Sequence, residues 1–513
     1  MDIFCIDSYQ MTKQRIALPQ LPFSKIIRDY IHGYIQLTNL EYQLIQLPAL
    51  NRLHSIKQLA TAYLVYPCAK ATRFEHSLGV MHIASRMMYQ VLLSMNQKDL
   101  KVLFGLDLKS LGEFQEICIQ LIQKVRLAAL LHDIGHGPYS HATEGILQKA
   151  LGKKELKEAS KIFECDVEEV PFHEYFSYKM ITSDQSEIKK LIEDDSSRIK
   201  ADEIGNILIG RKTKSISVEG TGVIKKLISS QLDADRMDYL LRDAYATGVV
   251  FGQTDIDRVI MNLSVRKDRL GRYELAVHER ALNSIEDILD ARFKMYKWVY
   301  NHHLIVALDS LLKTAIISMI EDGILHYKDF HWKTFLKGET DENLIHSKLN
   351  RSDKNIYVGL IDRRFAPTSL LKRIGDYDHF IGMVQNEMGR TATDRAIVEK
   401  IEKWFTKMEN GELSLTIPPG LEILEKMLLF TTQRPRSPYK ELERNENIWV
   451  YNDTDSEMKE LITQSNYANA INREWQTYPS FYSSFIIPET KKSETKRYRE
   501  KILEIIAKEI AAI

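Results

Sequence analysis

Four segments of the chain gather imidazoles, carboxylates and guanidinium groups: Arg73–Gly79 (RFEHSLG), His132–Gly145 (HDIGHGPYSHATEG), Phe172–Glu174 (FHE) and Leu232–Asp243 (LDADRMDYLLRD). His132 and Asp133 follow directly on the apolar run Leu121–Leu131. A polar pair at the end of a buried helix is costly unless something ligates or hydrogen-bonds it, and a divalent ion would satisfy both residues. Gly135 and Gly137-Pro138 then interrupt the helix, and His136, His141 and Glu144 arrive within one short stretch. A structural loop rarely needs so many imidazoles. His76 supplies another imidazole and Asp235 a second carboxylate. Two nitrogens with two oxygens suit iron, manganese, zinc, nickel or cobalt better than a calcium cage, with open positions left for water and a phosphoryl oxygen. His141 and Glu144, three apart, are neighbours if the segment is helical. A carboxylate beside an imidazole favours its protonated form, which suits a general acid.

Each assignment has a plainer competitor. Asp235 competes with Asp233 and Asp238 for the metal. Asp235, Tyr239 and Arg242 or Asp243 recur at roughly helical spacing, so one helix face could present a ligand, a phenol and a further polar group. His173 rests on FHE alone and would read the same if it faced solvent. Arg292, in ARFKMYKWVY, could equally lie over apolar rings. His302 and His303 read as packing or surface histidines, and Phe293, Tyr296, Trp298 and Tyr300 as core and subunit interface.

RFEHSLGV, HDIGHGPYSH and DADRMDYLLRD, in that order, resemble the HD-domain phosphohydrolases. More narrowly the chain is similar to the deoxynucleoside triphosphate triphosphohydrolases, including the animal SAM-and-HD-domain enzyme and its bacterial relatives, from about Lys25 to about Ser310. The match begins near the N-terminus, so no SAM-like domain is expected before it. The resemblance implies that His76, His132, Asp133 and Asp235 hold one divalent transition metal, and that His136, His141, Glu144 and His173 surround the reacting phosphoryl group. It implies Arg73, Arg236, Tyr239 and Arg292 on the triphosphate, with Gln58 and Asp243 near the sugar. Family members usually have Asp where Glu144 stands, and the animal enzyme has Lys in place of Arg236; both changes keep the charge. The implied reaction removes intact triphosphate, accompanied by magnesium or manganese, and leaves a deoxynucleoside. Expelling that alkoxide requires a proton, and arginines suit bidentate phosphate contacts. At the guanine-reading positions of the animal activator site stand Gln46, Asn51 and His54, without the acid and the arginine, so that specificity is not expected, although Lys25 is still placed to meet phosphate. A homodimer or homotetramer is expected. The competing readings are hydrolysis of another nucleotide (a monophosphate, a cyclic dinucleotide or a hyperphosphorylated guanosine) and a non-catalytic nucleotide sensor.

The elements that must position these residues read as mainly α: an all-helical HD core over 1–330 and a mixed α/β accessory region over 331–513. Leu121–Leu131 reads as a buried helix, Ile224–Ala246 as one long helix and Leu282–Ile320 as one or two. Leu263–Val277 alternates around a turn at Asp268–Gly271, a hairpin signal. Lys153–Glu169 and Thr431–Asn447 read as insertions or linkers, and Lys491–Ile513 as a charged segment running into an amphipathic surface helix. Lys+Arg and Asp+Glu are both 70 in 513 residues. That balance argues against nonspecific coating of nucleic acid, and leaves the basic run Lys491–Arg499 as a solvated face before it is a nucleic-acid footprint. Cys5, Cys68, Cys118 and Cys165 form no CxxC pair, which suits a reducing interior. With no signal sequence and no stretch near eighteen apolar residues, a cytoplasmic protein is expected, with no membrane partner.

Overall fold

The computed structural model describes residues 18–107, 111–349, 367–372, 374–388, 394–409, 412–415, 428–432, 447–454, 457–476, 481–486 and 495–512. The fold is helical around the four motifs, as expected, with short sheets at its margins.

The chain enters through a hairpin, β1 (Phe23–Asp29) and β2 (Gly33–Thr38), paired antiparallel. Its turn is held by Asp29, whose Oδ1 accepts from the amides of Ile31 at 2.9 Å and His32 at 2.8 Å. The first motif opens α1 (Arg73–Ser94), started by a capping box between Thr72 and Glu75. The second motif follows α2 (Leu111–Leu131), whose residues from Leu121 onward are almost all buried, as the apolar run requires. The third lies on α3 (Phe172–Thr182). Between them, Lys153–Phe163 is a helix that buries Ala159 on one side, so this charge-rich stretch is a regular element and not a linker.

The segment expected as one helix over Ile224–Ala246 is two: α4 (Val218–Ile228) and α5 (Ala234–Thr247). The break comes from Asp233, whose carboxylate caps α5 by accepting from the Arg236 amide at 2.6 Å. An N-cap needs extended backbone, which a continuous helix cannot provide. The expected hairpin is β3 (Leu263–Lys267) and β4 (Tyr273–His278), with Leu263 opposite Val277. Leu282–Ile320 resolves into α6 (Leu282–Met295) and α7 (His303–Glu321), joined by a π turn at Tyr296–Tyr300. By length and composition α7 could cross a bilayer, although Asp309, Ser310 and Lys313 interrupt its apolar run. Half of it is buried inside the protein, where Ile305, Leu308, Leu312 and Ile316 face the interior.

The apolar core does not stop at residue 330. One cluster runs from Leu21 through Trp332, Phe335, Leu344 and Ile345, and takes in Ile448, Val450, Leu461 and Ile471. A second cluster is built by α8 (Ile374–Met388), α9 (Asp394–Glu409), β9 (Phe481–Ile486) and α10 (Thr495–Ala512), with Leu370 and Leu371 after β5 (Pro367–Ser369), and β6 (Leu428–Thr432) pairs with β9 beside it. Strand order there is β5-β9-β6, while β7 (Trp449–Tyr451) and β8 (Lys459–Glu460) extend the β3-β4 hairpin. The accessory region is therefore mixed α/β, with part of it built into the main core. The terminal helix α10 buries Tyr498, Ile502, Leu503, Ile506 and Ile510, so its amphipathic face completes the second core. Most of the expected linker Thr431–Asn447 lies outside the described residues.

Candidate active site

The four segments converge between α1, the end of α2 and α5. His76 Nε2 lies 3.0 Å from Asp235 Oδ1 and 3.5 Å from Asp133 Oδ2. His132 Nε2 lies 3.4 Å from Asp133 Oδ1 and 3.8 Å from Asp235 Oδ1. The ligating atoms of His76, His132 and Asp133 fall within 4.8 Å of one another. Such spacing suits donors around one ion whose bonds are about 2.1 Å long. The donor chemistry fits too. The His132 Nδ1–H donates to the Ala129 carbonyl at 2.7 Å, and the His76 Nδ1–H to Asp238 Oδ2 at 2.8 Å. Both Nε2 lone pairs are thereby turned inward, and both Nε2 atoms are buried with no hydrogen bond. A divalent ion would satisfy them. In its absence, burial alone would lower the His76 pKa, yet the Asp235 and Asp238 carboxylates carry it up to about 10.

The three aspartates of LDADRMD take three different roles. Asp233 caps α5, its second oxygen accepting from the Ser230 amide, and burial raises its pKa to about 6. Asp238 is buried and faces His76 from the side remote from the other donors. Asp235 alone points its carboxylate at both Nε2 atoms. Helical spacing then sorts the face as well: Asp235, Tyr239 and Asp243 share one stripe, whereas Arg242 pairs with Asp238, its Nη2 at 2.9 Å from Asp238 Oδ1. Arg242 thus leaves the stripe to Asp243.

Beside these candidate donors stands an imidazole cluster. His136 stacks on His173 at 4.2 Å and 13°, with His141 edge-on to His136 at 4.8 Å. Glu144 ties the cluster together: its Oε2 is 3.0 Å from His141 Nδ1, and its Oε1 accepts from His173 Nδ1. Burial would lower His173, but Glu144 raises it to about 9; burial would likewise raise Glu144, but the two imidazoles hold it well below the usual carboxylate range. His173 therefore faces the cluster and not solvent. His136 Nε2 lies 3.4 Å from Asp133 Oδ1, while burial, followed by Arg73, pushes its own pKa well down.

Arg73 is buried, with Nη1 on Asp133 Oδ2 and Nε donating to Ser140 Oγ at 2.8 Å. The second basic group, Arg236, is ion-paired to Asp233 at 3.6 Å, and its Nη1 is buried with no hydrogen bond. Arg292 Nη1 reaches Gln231 Oε1 at 3.4 Å and its guanidinium lies 5.7 Å from the Tyr296 ring. Tyr296 and Tyr300 meet edge-on at 4.9 Å, and Tyr300 meets Tyr239 at 6.2 Å. The Tyr300 hydroxyl donates to Asp243 Oδ2 at 2.9 Å, leaving Asp243 Oδ1 buried without a partner. Two of the rings expected in the core or an interface thus line this site, while Trp298 is exposed. Gln58 Oε1 and Asn301 Nδ2 are also buried and unpaired. His302 and His303 stack on each other at 4.4 Å, and the His302 Nδ1 caps α7.

Several positioning groups carry no local sequence signal because they come from distant segments. Tyr139 and Ser140 both adopt left-handed backbone, at φ 59° and 55°, a conformation that costs energy outside glycine and persists only where surroundings enforce it. Asp341 enforces it by accepting from the Tyr139 amide at 2.7 Å. Arg52 donates to the carbonyls of Ile134 and His136, and the Ser177 hydroxyl donates to the His132 carbonyl at 2.6 Å. Gly135 admits no side chain, because a Cβ would lie 2.1 Å from the His173 carbonyl oxygen.

The chain is similar to known proteins in sequence and fold. Residues 73–242 match the HD domain and residues 254–402 the HD associated region. An uncharacterized protein of Methanocaldococcus jannaschii is 32% identical over 69% of this chain and 60% of its own length. A deoxynucleoside triphosphate triphosphohydrolase SAMHD1 homolog of Dictyostelium discoideum is 28% identical over 57% of this chain and 49% of its own. The match therefore spans about half to three fifths of those relatives. The crystal structure of a phosphohydrolase from Bacteroides thetaiotaomicron superposes with a TM-score of 0.57 at 23% identity, over 90% of this chain and 99% of that one, and shares the fold.

Proposed function

Since the chain belongs to the HD-domain phosphohydrolase family, we propose that it hydrolyses deoxynucleoside triphosphates to a deoxynucleoside and intact triphosphate. The observation that carries this reading is the stripe Asp235–Tyr239–Asp243. It runs from the donor cluster to the buried, unpartnered Oδ1 of Asp243, with Arg236 and Arg292 beside Tyr239. A monophosphate would occupy only the end of that stripe near the donors. A long triphosphate with a sugar beyond it uses the arginines, the phenols and the carboxyl together.

His76, His132, Asp133 and Asp235 would hold a divalent transition metal, which would polarise a phosphoryl oxygen and lower the pKa of a bound water. The cluster beside it manages the proton. His141 is exposed enough to reach a leaving alkoxide, and Glu144 holds its imidazole in place. His173, charged against Glu144, keeps that carboxylate ionised. Proton delivery from His141 to the sugar oxygen is the step that the poor leaving group needs. The guanidinium groups offset the charge of the triphosphate. The relative from Dictyostelium named as a triphosphohydrolase supports the substrate class. A reducing compartment suits Cys68 and Cys118, both free thiols.

The test is direct. The purified chain is incubated with each of the four deoxynucleoside triphosphates, the four ribonucleoside triphosphates and a mixture, with manganese or magnesium, and the products are resolved by chromatography. The expected result is deoxynucleoside plus triphosphate, absent in His132→Ala and Asp133→Ala. Activity in mixtures alone would add a nucleotide activator. Metal-loaded protein that turns over none of them would refute the substrate.

A further inference from the structure

The side of His76 that faces away from the donor cluster meets a closed charge network, and the network reaches the surface hairpin at the N-terminal end of the fold. Asp238 is fully buried, and each of its oxygens accepts two bonds. Oδ2 takes the His76 Nδ1–H at 2.8 Å and the Arg242 Nε–H at 2.9 Å. Oδ1 takes the His32 Nε2–H at 2.6 Å and the Arg242 Nη2–H at 2.9 Å. An ionised carboxylate has about four acceptor sites, and here all are filled. Arg242, itself wholly buried, spends its remaining nitrogen on Asp29 Oδ2 at 2.8 Å. Asp29 is the residue that folds the β1–β2 turn and thereby sets His32. A chain of hydrogen bonds therefore runs from that turn to a residue of the donor cluster.

The sequence makes room for it. A Cβ on Gly79 would lie 1.8 Å from Asp238 Oδ1 and 2.7 Å from Arg242 Nη2. Gly79 sits one turn beyond His76 on α1, so its missing side chain is what lets the Asp238–Arg242 pair of α5 press against α1. The final glycine of RFEHSLG thus has a steric reason that belongs to this network.

We propose that Asp238, His32 and Arg242 are positioning residues for the metal, with His32 acting through Asp238 to fix the ring plane and tautomer of His76, so that the β1–β2 turn is a remote determinant of metal affinity. A carboxylate that accepts from the distal nitrogen of a ligating imidazole fixes the tautomer and raises the basicity of the ligating nitrogen, and loss of such a partner typically costs about 10–100-fold in metal affinity. Among the described residues His32 touches none of the four donors; it reaches His76 through its hydrogen bond to Asp238, and its ring otherwise meets His82 of α1 at 5.5 Å. The inference rests on the metal centre and is independent of which nucleotide is hydrolysed.

The test is binding of manganese to the full-length chain in chelator-buffered titrations, together with the visible spectrum of the cobalt-substituted protein. Variants are Asp238→Asn, His32→Gln and the double variant, with circular dichroism as the fold check. The expected results are affinity lowered by about 10–100-fold in Asp238→Asn, a smaller loss in His32→Gln, a double variant close to Asp238→Asn, and a shifted cobalt spectrum in each. Should Asp238→Asn not fold, His32→Gln at the turn still decides the matter through its affinity and spectrum. Folded variants that bind manganese within about twofold of the wild type, with unchanged cobalt spectra, would overturn the proposal. A wild-type chain that binds no divalent ion would instead overturn the metal centre itself.

Discussion

Replacing Glu144 by Gln tests the proton chemistry, because this carboxylate is shared by two imidazoles. In the wild type, burial lowers the His173 pKa, but the charge and hydrogen bond of Glu144 outweigh it and raise the pKa to about 9. Glutamine keeps the shape and removes the charge. Burial then dominates, and His173 returns to or below its ordinary 6.5. At about pH 8 the charged fraction falls from roughly nine tenths to roughly three hundredths, a ratio of about thirty, while at about pH 6 the two proteins differ by less than about twofold. If turnover depends on the charged cluster, the deficit of Glu144→Gln grows with pH in that proportion, and its alkaline limb moves below pH 7. An ion at the donor cluster lowers both limbs together and preserves their order. Stability follows the same sign: a raised imidazole pKa contributes stability that is present below 6.5 and lost as pH rises through about 9, so the melting temperatures of the two proteins converge above that pH. The assay is kcat against pH for both proteins, with calorimetry across the same range. A deficit equal at pH 6 and pH 8 would refute the role assigned to the charge.

Further tests address other parts of the site. Burial raises the Asp243 pKa to about 7, so the native state binds the extra proton between its ordinary 3.8 and about 7 and stability falls as pH rises through that window. Asp243→Asn should therefore gain on the order of 2 kcal/mol over the wild type above pH 8, with none at acid pH, and raise KM for the sugar-bearing substrate by about tenfold; calorimetry and steady-state kinetics check the two halves. Gly135→Ala places a Cβ 2.1 Å from the His173 carbonyl and 2.4 Å from the Ser177 amide, and should cost about 3 kcal/mol in urea unfolding, a loss that repacking of flexible side chains cannot relieve. Truncation after residue 330 removes Asp341 from the Tyr139 amide and Phe335, Leu344 and Ile345 from the core, so the fragment should be insoluble or inactive. A soluble, fully active fragment would separate the accessory region from the site.

The parts of this protein that the sequence reveals are those whose physics is local. The apolar run before His132 can only be a buried helix, and Leu263–Val277 pairs in the register that its alternation requires. The histidine-rich loop announces a reacting centre because so many imidazoles crowd one short stretch. What stays hidden depends on distance along the chain. Nothing near Asp233, Asp235 and Asp238 says which one caps a helix, which meets the donors and which accepts from His76. The answer is set by Ser230 on one side and by His32, more than two hundred residues away, on the other. The break between α4 and α5 was likewise invisible, since it exists only because Asp233 spends its carboxylate on the cap. The sequence marks Tyr300 only as a core or interface aromatic, whereas its hydroxyl donates to Asp243. Asp341 had no motif at all, yet it holds the left-handed turn that brings His141 round to Glu144. Motifs in this fold mark the groups that would react. The residues that aim those groups are drawn from the hairpin, from α3 and from beyond residue 330, which is why the site is a property of the whole core and not of the HD segment alone.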